Sequence, residues 1–497
     1  MQPKGKTPMT ALADFRDGLD RPDIMEFLRD GLIGDGVAIE TPFGSQRLVY
    51  ADYVASGRAL RQVEDFVMEH VLPYYANSHT EASFCGMTMT RMREEARATI
   101  ARLVKADESC HVIFAGSGAT AGINRIVGLL QIEKLVASDK RVVVLIGPYE
   151  HHSNILPWRE TGAELVVVPE APGGGLDMAA LRASLTAAQG ADLVVGSFSA
   201  ASNVTGIVTD TTDVTRVLKA NGALAIWDYA GGAPYLPMEM GSSAGCQKDA
   251  IIFSPHKFAG GPGATGIAVV RDTIVRCKTP TAPGGGTVSF VSPWRHAYSA
   301  KVEVREEAGT PNVVGDIRAA LVMLVKDAIG TEAILARDAV LRDRASTVLA
   351  RHPFIRVLGK SDNVPALPIF SFQVVDEDGT LVHQQLFTRM LSDFFGVQVR
   401  GGCACAGPYA HALLGLDEAQ SEDLFKRLGA GHEVEKPGWV RFNLSYLHSD
   451  AQVASILEAI STLASTARER AALYECDAAT ARFNARGAHD RALLRAG

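Results

Sequence analysis

The stretch 249-DAIIFSPHKFAGGPGATG-266 decides the fold. An apolar run closes at Phe253 and passes directly to Ser254, Pro255, His256 and Lys257, then to a turn rich in glycine and proline. Apolar residues on consecutive positions mark a strand covered on both faces. The pattern recurs on either side: HVIFA from 111, RVVVLIG from 141, AELVVVP from 163, ADLVVGSFS from 191, ALAIWD from 223 and GIAVVR from 266. Helical segments lie between many of these runs. DMAALRASLTAAQG opens on Asp177, a suitable N-cap, and DTTDVTRVLKANG closes on Gly222, a suitable C-cap. Strand and helix in alternation predict an α/β fold with a mostly parallel sheet.

Past GTPNVVGD (309–316) the character changes. Long helical patterns, DIRAALVMLVKDAIG and TEAILARDAVLRDRASTVLARH, precede the isolated strands IFSFQVV and WVRFNLSY, which predicts a smaller α+β domain. The expected organisation is a lead-in over 1–47 packed on the small domain, a large domain over 48–310, a small domain over 311–470 and a helical C-terminal extension over 471–497. Hydrophobic residues at 47% and charged residues at 21% describe a globular chain. A net charge of −7 argues against nucleic acid or an anionic membrane as an obligate partner. The N-terminus has no apolar stretch behind its basic residues, and no run approaches the roughly 20 needed to span a bilayer. Seven cysteines, odd in number and scattered, do not form a disulfide framework, and a reducing cytoplasm is the expected location.

Chemistry concentrates at the strand ends. Lys257, sheltered where a strand meets its turn, can have its amine pKa lowered and act as a nucleophile. Asp228 ends the ALAIWD strand. An acid there, beside a lysine strand, suits the nitrogen of a pyridinium ring. In VIFAGSGATAGINRIVG a strand turns through small residues into a helix, leaving backbone N–H groups for a phosphate. Gly116, Gly118 and Ala121 also fit a loose dinucleotide pattern with Glu150 as the ribose acid, but that reading leaves Asp228 and Lys257 unexplained. His151 and His152 are adjacent and rarely converge on one ion; one of them stacked on an aromatic cofactor is the simpler role. In VRGGCACAGP, Cys403 and Cys405 are open to four readings: a metal half-site, a strained disulfide, buried thiols, or a nucleophile with a neighbour. Zinc needs a second ligand pair, which the sequence does not offer, so no metal is expected.

Taken in order, YADYVASGRA, SGATAGIN, YEHHSNILPW, AASNVTGIVTD, WDYAGGAP, FSPHKFAGGPGATG, EAGTPN, VRGGCACAGP and VRFNLSY resemble the class V aminotransferase family of pyridoxal-phosphate enzymes. The resemblance covers roughly residues 50–463 and is strongest to the cysteine desulfurases and the desulfurase domain of molybdenum-cofactor sulfurases. It implies fold type I, with a mostly parallel seven-stranded sheet in the large domain. It implies Lys257 as the lysine that carries the cofactor, Asp228 as the partner of the ring nitrogen, and His151 as the stacking residue. Asn203 would bond the phenolic oxygen. Ala119, Thr120, Ser254 and His256 would hold the phosphate, with Thr287 reaching the phosphate of a second subunit in a homodimer. Arg441 would bind a substrate carboxylate, with Ala55 and His79 near the substrate. Cys405, a few residues after Arg400, would be the nucleophile.

The implied reaction takes sulfur from L-cysteine as a Cys405 persulfide and releases L-alanine, with a sulfur-accepting protein as a possible partner. One departure stands out. Where the family usually has glutamine or histidine three residues after the aspartate, this chain has Gly231. That keeps a second outcome open: a selenocysteine or C–S lyase, transaminase or epimerase acting on another amino acid.

Overall fold

The computed structural model describes residues 11–78, 81–241, 243, 245–359 and 364–486. The chain forms two compact units. The first takes the residues up to Ile33 together with Ala55–Ser202 and Val208–Leu335, and the second takes Gly34–Val54, Asn203–Ile207 and the chain from Ala336 on.

In the first unit the apolar runs are strands β1 (Cys110–Gly116), β2 (Val142–Ile146), β3 (Glu164–Val167), β4 (Leu193–Ser199), β5 (Leu224–Asp228), β6 (Ala250–Phe253) and β7 (Gly266–Arg271). They make one 7-stranded sheet in the order β1-β7-β6-β5-β4-β2-β3. Every neighbouring pair is parallel except the two that involve β7. The exception follows from the connection: 254–265 is a glycine-rich turn with no room for a crossover helix, so β7 returns antiparallel. The fold is therefore the expected α/β class. Helices α1 (Gly118–Leu130), α2 (Met178–Ala187) and α3 (Thr211–Ala220) connect strands. Asp177 caps α2, accepting from the N–H groups of Ala179 and Ala180, and Gly222 stops α3 at φ +72°.

Two features of this unit differ from expectation. Helix α4 (Val313–Ile329) belongs here, although the change of sequence character begins at its N-terminus. Apart from Val314 it is buried from Val313 to Lys326, and its buried charges are satisfied: Asp316 by Arg93, Arg318 by Glu64 and Lys326 by the Ala233 carbonyl. The lead-in is divided: the helix Ala11–Leu19 packs on α4 through Ala11, Leu12 and Leu19, whereas residues 34–54 join the second unit.

The second unit holds an antiparallel sheet, β8 (Ile355–Val357), β9 (Ile369–Val375), β10 (Arg400–Gly402) and β11 (Trp439–Asn443), in the order β8-β9-β11-β10. Its core is built on Phe370, Phe372, Phe387 and Phe442 with the apolar face of the helix Asp450–Ala471. Beyond Ala471 the described part of the expected helical extension is instead a hairpin, Tyr474–Asp477 against Arg482–Ala485. Tyr474 and Ala485, partners across this hairpin, are buried, while Glu475, Cys476 and Asp477 face solvent. Asp477 also fixes the turn by accepting from the Ala479 N–H and the Thr480 hydroxyl.

Candidate functional site

Strands β1, β2, β4, β5 and β6 share one direction, so their C-terminal ends form one edge of the first unit, where open α/β sheets take ligands. Asp228 stands at the end of β5, only 4% exposed, with one oxygen accepting from the Ala230 N–H at 2.8 Å. Burial pushes its carboxyl up; the Ala230 N–H and the charge of Lys257 oppose that shift. Beyond the Ala230 N–H and the nearby charge of Lys257, a buried carboxylate in this position also suits a cationic ligand. A protonated ring nitrogen supplies that cation, so the pair fits a pyridoxal ring.

The neighbouring donors fit a phosphate. Ser254, just past β6, accepts from the N–H of Ala119 in the first turn of α1 at 2.9 Å. The close approach depends on small residues: Gly118 has φ +60°, and a Cβ on Gly266 would fall 2.5 Å from the Gly118 Cα. His256 is half-buried and pushed down by desolvation and by Lys257, so at neutral pH it offers one N–H. Exposed Thr120 shares a hydrogen bond of 2.7 Å with Ser153. The Ser153 N–H in turn donates to Nδ1 of His151 at 3.1 Å, which fixes the His151 ring. Ser153 escaped the sequence reading because serine beside two histidines carries no spacing signal of its own.

The other expected positions of this unit are distributed as follows. Ala55 is half-buried, two residues before Gly57, whose N–H donates to the His256 carbonyl at 2.9 Å. His79 lies outside the described residues. Thr287 is buried, and its hydroxyl donates to the Gly284 carbonyl of its own turn at 2.7 Å. Gly231 is half-buried in the turn after β5. Glu150, the ribose acid of the dinucleotide alternative, is committed elsewhere: it accepts from the Gly147 and Ser199 N–H groups, the Ser199 hydroxyl and Asn154.

Glu150 also yields a prediction. Burial pushes its carboxyl up to about 7 against the opposing pull of Ser199 and Asn154. The folded chain then keeps a proton that the unfolded chain has lost above its ordinary value of 4.5. This contribution to stability is full below about 4.5 and disappears as pH rises through about 7. Glu150→Gln is expected to flatten that part of the stability curve, measured by urea unfolding across this window.

In the second unit, Arg441 lies on β11, 4% exposed. It donates to the Asn203 carbonyl at 3.1 Å and to Oδ1 of Asp52 at 2.9 Å, while its buried Nε has no hydrogen-bond partner. The other oxygen of Asp52 accepts from Nε of Arg400 at 3.0 Å. Sequence reasoning quoted the segment that holds Asp52 without singling it out; an acid in a strand-turn motif has many commoner uses.

Cys405 is exposed and Cys403 half-buried, and neither is in a disulfide. The Ala406 N–H donates to the Cys403 carbonyl at 3.1 Å, with φ of +54° at Ala404 and +55° at Cys405. That is the pattern of a type I′ turn, which favours glycine or asparagine at both central positions. Two L-residues there cost about 1–2 kcal/mol each. The Asn203 amide offsets part of this strain by donating to the Ala404 carbonyl at 2.8 Å. Ala404→Val, which adds branching at positive φ, is expected to lower stability by about 1–2 kcal/mol, whereas Ala404→Gly should not lower it; denaturant melts check the order.

Set against known proteins, residues 49–421 match the family model described as Aminotransferase class-V. A probable cysteine desulfurase of Streptomyces coelicolor is 28% identical over 367 residues, 73% of this chain and 84% of the relative. A cysteine desulfurase of Dickeya dadantii is 28% identical over 421 residues, 82% of this chain and 97% of the relative. Among solved structures, the apo cysteine desulfurase of Thermococcus onnurineus superposes with a TM-score of 0.68 at 24% identity, covering 84% of this chain and 94% of that one. The cysteine desulfurase CsdA of Escherichia coli gives 0.64 at 20% identity, covering 91% and 98%. With a family model spanning most of its length and a sheet of the matching kind, the chain belongs to the class-V aminotransferase family of pyridoxal-phosphate-dependent enzymes.

Proposed function

We propose that the chain is a cysteine desulfurase, transferring sulfur from L-cysteine to Cys405 and releasing L-alanine. The observation that carries this reading is the second unit's arrangement of an exposed thiol, Cys405, on a strained turn that Asn203 ties to the same network as Arg441. The names of the relatives support the same substrate.

Bound against Asp228 and the first turn of α1, pyridoxal phosphate supplies an electron sink beside the substrate α-carbon. Asp228 would face the ring nitrogen and favour its protonated form, and His151 would lie against the ring. Ala119, Thr120, Ser254 and His256 hold the phosphate. Arg441 orients the substrate carboxylate, for which a planar guanidinium offers paired donors. The Lys257 amine takes the α-proton. The Cys405 thiolate attacks the substrate sulfur: an S–S bond forms, the C–S bond breaks, and its electron pair stays with carbon. That carbon takes up the proton that the Cys405 thiol gave up, and Lys257 returns the α-proton to the α-carbon to complete alanine. The persulfide then passes to a sulfur-accepting protein. A homodimer, with Thr287 near the second subunit's phosphate, and a cytoplasmic location belong to the same proposal. Among the described residues no helix is long and apolar enough to cross a membrane.

Gly231 favours one competing outcome, another reaction of the same cofactor on a bulkier amino acid. Product analysis of the cofactor-loaded protein separates the two. Alanine formed one-for-one with mobilised sulfur supports desulfuration; a keto acid or pyruvate rejects it.

A further inference from the structure

Arg400 and Arg441 are directly opposite each other on the antiparallel strands β10 and β11. Like charges at such a pair destabilise a sheet. Here one carboxylate lies between them, Asp52 accepting from Arg441 at 2.9 Å and from Arg400 at 3.0 Å. The trio still carries one unbalanced positive charge, and the buried Nε of Arg441 still lacks a partner. A single carboxylate from outside the chain would complete both the charge and the donors.

The trio also touches the nucleophile's turn at two places. Arg400 begins β10, whose last residue, Gly402, precedes Cys403. Arg441 donates to the carbonyl of Asn203, whose side chain holds the carbonyl of Ala404. Arg400, Asp52, Arg441, Asn203 and Ala404 therefore form a closed circuit around the strained turn.

We propose that Asp52 is a positioning residue that couples occupation of Arg441 by a substrate carboxylate to the order of the Cys405 turn. The proposal rests on the reading of Arg441 as the carboxylate site. A carboxylate arriving at Arg441 relieves its repulsion with Arg400, so β10 settles on β11 and the turn tightens. Without Asp52 the two arginines separate, and the message stops at Arg441.

The test uses the cofactor-loaded protein with L-alanine, which bears the carboxylate but no thiol. Thermal unfolding reports binding, and hydrogen exchange over 400–407, which includes the Ala406 amide of the turn, reports order. In the unaltered protein L-alanine should raise the melting temperature and slow exchange by about fivefold or more, the lower end of coupling between linked sites. In Asp52→Asn, L-alanine should still raise the melting temperature while the exchange response falls below about twofold. Arg400→Gln cuts the same link from a side chain that is 51% exposed, and should behave alike even if Asp52→Asn folds poorly. Asp52→Glu, which keeps the charge, should restore part of the response. Full protection of the turn in both Asp52→Asn and Arg400→Gln would overturn the coupling alone. An undiminished thermal shift in Arg441→Gln would overturn the carboxylate reading and the coupling with it.

Discussion

Lys257→Ala is expected to abolish turnover, by about 10³-fold or more, and to remove the absorbance band near the visible edge that a lysine-bound pyridoxal ring gives. General acid–base catalysis alone contributes typically about 10²–10⁴-fold, and in the proposed reaction this substitution would remove both the proton carrier and the covalent hold on the cofactor. The effect is chemical rather than structural, because Lys257 is half-exposed in the turn beyond β6 while the strand itself is fully buried. Lys257→Arg is the informative control. It preserves the positive charge that favours the ionised form of Asp228. A guanidinium neither carries the ring nor gives up its proton at neutral pH, so the loss should be as deep. Absorbance titration with pyridoxal phosphate and a steady-state alanine assay measure both arms.

Cys405→Ala should reduce alanine release from L-cysteine by at least about 10²-fold while leaving the cofactor band unchanged. Without a thiolate to accept the sulfur, the C–S bond must break with sulfide as its own leaving group, and the step that covalent catalysis divides is undivided again. Cys405 is exposed, so the substitution creates no cavity, and alanine meets the positive φ no worse than cysteine does. Cys403→Ser should retain most of the turnover, since Cys403 is the first residue of the turn and Cys405 carries the proposed attack.

Much of the first unit was legible because its central strands β2, β5 and β6 are runs of mostly consecutive apolar residues, fully buried, a pattern that belongs to a sheet covered on both faces. The direction of β7 was less visible: apolar runs do not encode direction, and only the shortness of 254–265 does. Lys257, Asp228 and the small residues before α1 could be read as strand-end chemistry, since each follows immediately on an apolar run. The second unit was harder. Asp52 and Arg441 are far apart in the chain and meet through a side-chain hydrogen bond in the folded unit, which no local spacing announces. Nor does sequence reveal that Ala404 and Cys405 occupy left-handed backbone, because neither is a residue that prefers it. The terminal hairpin was read as the continuation of a helical tail, because nothing local in that Arg/Ala-rich stretch announces the pairing of Tyr474–Asp477 with Arg482–Ala485.

The most direct test is a single turnover of the cofactor-loaded protein with L-cysteine, followed by amino-acid analysis and mass spectrometry of the peptide that contains Cys403 and Cys405. The account predicts one L-alanine per active site and one added sulfur on Cys405, still on Cys405 in a Cys403→Ser variant. Pyruvate or a keto acid in place of alanine, or alanine formed with no added sulfur on that peptide in either protein, would contradict it.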